Sequence, residues 1–148
     1  MKKKVVLKLQ GKTQNLDKIR SFVQEYAREI GFDERALSEI EMAVDEAATN
    51  SIKYSYRMDP DIPEELRFLE IELKQIRRGI EIIIKDNGKF FNLRNYPDVK
   101  LENHLSQFKS HGLGIFAIRR FMDEVRHHYR KGSGNIITMR KFISKTKR

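Results

Sequence analysis

Glu46 and Asn50 stand four residues apart in the run Ala43-Val44-Asp45-Glu46-Ala47-Ala48-Thr49-Asn50. On a helix that spacing makes their side chains neighbours. A carboxylate beside a carboxamide can share a hydrated magnesium ion, or a water and an alcohol. At about 100° per residue, Glu39, Ala43, Glu46, Asn50 and Lys53 fall in one narrow stripe, roughly 130° from the centre of the apolar face. An ordinary solvated helix face with an i, i+4 pair would look the same.

Asp86 is the second candidate. It shares strand parity with Ile80, Ile82 and Ile84, so if they face a core, it does too. A carboxylate pointing inward is costly unless something donates to it, and the amino group of an adenine is a suitable donor. Gly88 follows, where a side chain would obstruct a ring approaching the backbone. Asp86-Asn87-Gly88 is also a strong turn signal by itself. The third candidate is His111-Gly112-Leu113-Gly114-Ile115, at the mouth of a helix. Two glycines there let backbone N–H groups and the helix dipole approach phosphate. A flexible loop end is the plainer reading.

The elements that must position these residues are legible from periodicity. Residues 5–9 read as a short strand, and Asn15 can cap a helix over 16–30 that Gly31 ends. Asp33 caps a second helix reaching about Tyr54, with Leu37, Ile40, Val44, Ala47, Ala48 and Ser51 as its packing face. A turn falls at 60–63. Leu69, Ile71 and Leu73 then alternate with Glu70, Glu72 and Lys74, a half-buried strand. Arg77-Arg78-Gly79 is a hairpin turn before a strand over 80–86. Residues 89–111 have no sustained period, which suggests a functional lid or disorder. A helix over 113–122 is apolar on most sides, hence well buried. Strands over 125–130 and 136–143 flank the turn Gly132-Ser133-Gly134-Asn135. The order β-α-α-β-β-lid-α-β-β predicts an α+β two-layer sandwich: a sheet of about five strands, mixed or antiparallel, with three helices on one face.

The chain has 148 residues, which suits one domain over 1–148. Apolar residues at 39% allow a core, and no apolar run approaches the roughly 18 residues of a spanning helix. Cys is absent, which excludes disulfides, zinc-thiolate sites and Cys nucleophiles. The start, Met1-Lys2-Lys3-Lys4-Val5-Val6-Leu7-Lys8, is too polar for a signal peptide, so a soluble, cytoplasmic protein is expected. A net charge of +9 favours anionic partners without choosing among them, and part of it lies in basic ends that read as solvated tails.

Taken in order, the three boxes resemble the adenine-nucleotide site of gyrases, Hsp90-type chaperones, histidine kinases and mismatch-repair proteins, the Bergerat ATP-binding fold. Within that superfamily the chain is most similar to the anti-sigma factor serine/threonine-protein kinases. The matching stretches are residues 43–50, Asp86-Asn87-Gly88-Lys89-Phe90-Phe91-Asn92, and Gly112-Leu113-Gly114-Ile115 through Met122-Asp123-Glu124-Val125. The likeness spans about residues 5–143.

The resemblance implies ATP and Mg2+ as cofactors. Asn50 would be the magnesium ligand and Glu46 the general base for an attacking serine hydroxyl. Asp86 would bind the adenine amine and Gly88 would leave room for the ring. Gly112 and Gly114 would cradle phosphates, anchored by Leu113 and Ile115, with residues 89–111 as the ATP lid. Lys53 and His111 could touch phosphate. Two places depart from the pattern. Many relatives carry Thr after the last glycine pair, helping to bind adenine through water, where this chain has Asn135 and Ile136. Related chains often have His near position 54, where this one has Tyr54.

The resemblance further implies two protein partners, a sigma factor held inactive and an anti-anti-sigma protein phosphorylated on serine or threonine, and a homodimer. No direct nucleic-acid or membrane contact is expected. The alternatives are a non-catalytic ATP-binding partner switch, a detached histidine-kinase catalytic domain, and a basic nucleic-acid-binding domain. Against the last, basic and aromatic residues do not interleave on one strand face.

Overall fold

A computed structural model describes residues 1–56, 62–89 and 113–144. Five strands, β1 (Val5–Gln10), β2 (Phe68–Ile76), β3 (Gly79–Asp86), β4 (Glu124–Arg130) and β5 (Gly134–Phe142), form one sheet in the order β1-β2-β3-β5-β4. Every neighbouring pair is antiparallel. Among the described residues three α-helices pack with it: α1 (Leu16–Ile30), α2 (Glu34–Asn50) and α3 (Leu113–Phe121). The architecture is the expected α+β sandwich.

The two-residue strand period decides what is buried. Leu69, Ile71 and Leu73 on β2, Ile80, Ile82 and Ile84 on β3, and Ile137 and Met139 on β5 form one layer. Ile19, Val23 and Ala27 of α1, Leu37, Ile40 and Val44 of α2, and Ile118 of α3 meet it. The intervening strand positions hold ion pairs instead: Lys85–Glu70 at 3.6 Å, Lys4–Glu72 at 3.6 Å and Arg140–Glu81 at 2.7 Å. Gly31 ends α1, and Asp33 Oδ1 accepts from the Ala36 N–H at 2.9 Å, capping α2.

Several expectations need correction. Asn15 precedes α1 but its side chain does not cap it; Nδ2 donates instead to the Gln10 carbonyl at 2.8 Å, tying the β1–α1 connection. The β2–β3 turn is Arg77-Arg78 alone, with Arg78 in the left-handed region (φ 63°). Gly79 already lies in β3, and a Cβ there would sit 2.1 Å from the Lys141 carbonyl oxygen of β5. The β4–β5 turn spans 131–133, and Gly134 and Asn135 open β5 rather than close the turn.

The second helix also ends early. The α-helical pattern stops at Asn50, and a π-helical stretch, Ser51–Tyr56, continues it. Ser, Ile and Tyr are weaker helix formers than the Ala47-Ala48 pair before them. Wider turns rotate the following residues, so Lys53 does not prolong the Glu46–Asn50 stripe at helical spacing. Part of the turn at 60–63 and nearly all of the 89–111 lid, with His111 and Gly112, lie outside the described residues.

Candidate functional site

The α2 stripe is not a solvated face. Ala43 is fully buried and Asn50 is 1% exposed. The helix is covered on a second side because α3 packs against it. At the far end of the stripe, Lys141 of β5 reaches Glu39 Oε1 at 3.3 Å and donates to the Phe121 carbonyl at the end of α3. The inner part of the stripe therefore lies inside the protein, not on the solvated face that an i, i+4 pair alone would allow.

Asn50 and Ser51 carry the sharpest signal. The Asn50 Nδ2 and Ser51 Oγ atoms are buried with no hydrogen-bond partner among the described residues. A buried polar atom without a partner costs free energy, and folded proteins seldom keep one unless a ligand, ion or water supplies the bond. One turn earlier stands Glu46, half-buried, its carboxyl pushed up to about 6. Burial is the main cause, and the neighbouring Asp45 charge adds to it; Lys53 opposes both. Lys53 therefore stays within electrostatic reach of Glu46 despite the π-helical offset. Asp45 is held by Arg20, whose Nε donates to Oδ1 at 2.8 Å. A carboxyl near 6 is ionised at neutral pH yet basic enough to take a proton.

The second part of the site lies at the end of β3. Asp86 is 2% exposed, facing the helices as its parity requires. Its Oδ1 accepts from the Gly88 N–H at 2.9 Å and from Asn135 Nδ2 at 3.1 Å. Asn135 is fully buried, and its Nδ2 also donates to the Lys89 carbonyl at 2.7 Å. Asn87 faces elsewhere, accepting from the Phe68 N–H at 3.2 Å and donating to the Leu66 carbonyl at 2.9 Å. The chain bends at Gly88, where Asp86 Oδ1 takes the N–H two residues on, while Asn87 pins the strand end to residues 66 and 68. Gly88 is buried beside Asp86.

Two residues of this region escaped the sequence reading. Gly134 has φ 112°, and a Cβ on it would lie 1.9 Å from the Asp86 carbonyl oxygen. β5 can begin against the end of β3 only because residue 134 is glycine. His127 of β4 places Nε2 2.9 Å from Asn135 Oδ1. The positive φ has a weak local signal in Ser133-Gly134-Asn135; the His127 contact has none.

Gly114 and Ile115 lie in the first turn of α3, which opens at Leu113. The backbone of that turn is where helix dipole and free N–H groups favour an anion.

The arrangement suits Mg-ATP. The buried Asn50 carboxamide carries a hard oxygen, the ligand type magnesium prefers, and its unpartnered Nδ2 suits a phosphate or water oxygen as acceptor. Among the described residues no group of three or more His, Cys, Asp or Glu could hold a metal. Magnesium is commonly bound with few protein ligands, the phosphates and waters completing its shell. A buried carboxylate at the end of β3 is a fitting acceptor for an exocyclic amine.

The family described as the histidine kinase-like ATPase domain matches residues 9–141. A serine-protein kinase RsbW of Listeria monocytogenes is 28% identical over 142 residues, covering 93% of this chain and 87% of the relative. RsbW of Bacillus licheniformis is 26% identical over 145 residues, 95% and 86% of the two chains. RsbW of Staphylococcus aureus is 32% identical over 114 residues, 74% and 67% of the two. The fold is shared with a crystal structure of the RsbU and RsbW domains of a Mycobacterium tuberculosis protein, with a TM-score of 0.70 at 14% identity. That match covers 99% of this chain and 34% of the solved one. The chain thus belongs to the histidine kinase-like ATPase family and, within it, to the anti-sigma factor serine/threonine-protein kinases.

Proposed function

We propose that this chain is an ATP-dependent serine/threonine kinase that sequesters a sigma factor and phosphorylates an anti-anti-sigma protein, regulating transcription. Kinship with the RsbW serine-protein kinases supports the reaction class. The observation that carries the mechanism is the Glu46–Asn50 pair: a carboxyl raised to about 6, one turn before a buried carboxamide whose nitrogen has no partner among the described residues.

The roles follow from position and chemistry. Asp86 accepts the exocyclic amine of the purine, and Gly88 leaves the ring its space. Asn135, bonded to Asp86, closes that end. Asn50 would hold the magnesium ion through its carboxamide oxygen. Bound magnesium would supply charge neutralisation of the phosphate oxygens. The first turn of α3, with Leu113, Gly114 and Ile115, holds phosphate with its backbone N–H groups; Gly112, His111 and Lys53 are assigned to phosphate contact on the sequence resemblance alone. Glu46 takes the proton from the partner's serine hydroxyl as that oxygen is phosphorylated, leaving ADP. The product serine gains nearly two negative charges, enough to break an interface.

The chain acts as a homodimer in the cytoplasm. No described helix is long and apolar enough to cross a membrane.

The test is phosphate transfer from labelled ATP to a candidate anti-anti-sigma protein. Glu46→Gln keeps shape but cannot take a proton, so it should bind Mg-ATP and both partners while transferring at least about 100-fold more slowly. Phosphate on a histidine would move the chain to the histidine kinases. No transfer by the wild type to any cognate partner would favour a passive ATP-binding switch. Unimpaired transfer by Glu46→Gln would put the base elsewhere.

A further inference from the structure

The Asn135 side chain is fully buried, and its two amide ends are nearly identical in shape but opposite in hydrogen bonding. On one side lie two acceptors, Asp86 Oδ1 at 3.1 Å and the Lys89 carbonyl at 2.7 Å. On the other lies His127 Nε2, 2.9 Å from Oδ1. A flipped amide would press its oxygen against two acceptor oxygens. With Nδ2 facing them, Oδ1 needs a donor, so His127 carries its proton on Nε2. The sheet register explains the reach: Asn135 pairs with Tyr129, and His127 is the diagonal neighbour on the same face.

We propose that His127 is a positioning residue for purine recognition: its Nε2–H locks the Asn135 amide so that Nδ2 holds Asp86, which sharpens selection of a purine bearing an exocyclic amine. The inference rests on the proposed role of Asp86 and goes beyond it. A hydroxyl at 135 would have one proton and need no second residue to choose its orientation. An amide there ties both Asp86 and the Lys89 carbonyl, and a donor on its Oδ1 reinforces the orientation that those two acceptors favour. His127 therefore matters because residue 135 is asparagine.

The test is calorimetric titration of the full chain with Mg-ATP and Mg-ITP, whose hypoxanthine carries a carbonyl in place of the amine. His127→Ala should weaken ATP about tenfold while ITP stays within about twofold, narrowing the discrimination. His127→Gln should recover most of the loss, since its Nε2 can donate from a similar point. In an Asn135→Thr background, His127→Ala should change ATP affinity by less than about twofold. Melting curves of each variant separate misfolding from misplacement. Equal weakening of both nucleotides, or the same loss in the Asn135→Thr background, would overturn the proposal. Long-range proton–nitrogen NMR reads the tautomer directly: neutral His127 protonated on Nε2 supports the proposal, and protonation on Nδ1 overturns it whatever the titrations give. If wild type fails to distinguish ATP from ITP and Asp86→Ala binds ATP normally, the reading of Asp86 falls and the proposal with it. Normal Asp86 behaviour with an inert His127→Ala would sink His127 alone.

Discussion

Lys141 Nζ lies 3.3 Å from Glu39 Oε1, joining β5 to α2, and the same ammonium donates to the Phe121 carbonyl at the end of α3. The Lys141 side chain is 11% exposed and that of Glu39 23%, so solvent screens this pair less than a surface one. Three elements that carry or position the site meet at one cation. Lys141→Met should destabilise the fold by about 1–3 kcal/mol, because Glu39 and the Phe121 carbonyl lose their donor. Lys141→Met with Glu39→Leu should regain part of that loss. Urea unfolding of the two single variants and the double variant checks the coupling; simple additivity would mean that the pair contributes nothing.

Asn50 offers a prediction in which stability and binding move apart. Its Nδ2 is buried without a partner among the described residues, so the side chain adds little to the empty fold. Asn50→Ala should leave unfolding without nucleotide within about 1 kcal/mol of wild type, while weakening Mg-ATP at least about tenfold. The loss should shrink sharply when the metal is chelated. A destabilised apo protein with unchanged Mg-ATP binding would make Asn50 structural.

The Glu46 carboxyl, raised from 4.5 to about 6, makes two pH predictions. As a base it must be ionised, so kcat/KM for phosphate transfer should fall tenfold per unit as pH drops below about 6. For stability the sign is opposite. The folded state binds this proton more tightly than the unfolded chain, so the contribution of Glu46 is fully present below about 4.5 and is lost as pH rises through about 6. Glu46→Gln should therefore gain stability relative to wild type above pH 6, and the gain should vanish below about 4.5. Denaturant melts across that range test it.

Gly134 has no room for a side chain. A Cβ there would lie 1.9 Å from the Asp86 carbonyl oxygen, in a backbone region with φ 112°. Gly134→Ala should cost more than about 1 kcal/mol of stability and weaken ATP as well, since β5 must shift away from Asp86. Gly132→Ala is the control: it too has a positive φ (87°), but a Cβ there meets nothing within 4 Å, so only the stability should suffer.

Periodicity alone determined a large part of this protein. The alternation of Leu69, Ile71 and Leu73 with charged residues, and the parity that turns Asp86 inward, are properties of a single strand with a period of two. The Glu46–Asn50 spacing is likewise a property of one helix. Tertiary structure decided which neighbours these residues meet. Whether the α2 stripe faces water or protein depends on where α3 packs, more than 60 residues later in the chain. The bond from Asn135 to Asp86 spans 49 residues and exists because β5, not β4, lies beside β3. His127 joins it only because β4 is the next strand out. Local pattern specifies which face of an element is buried; sheet order specifies against what, and that order follows from the joint packing of the whole core.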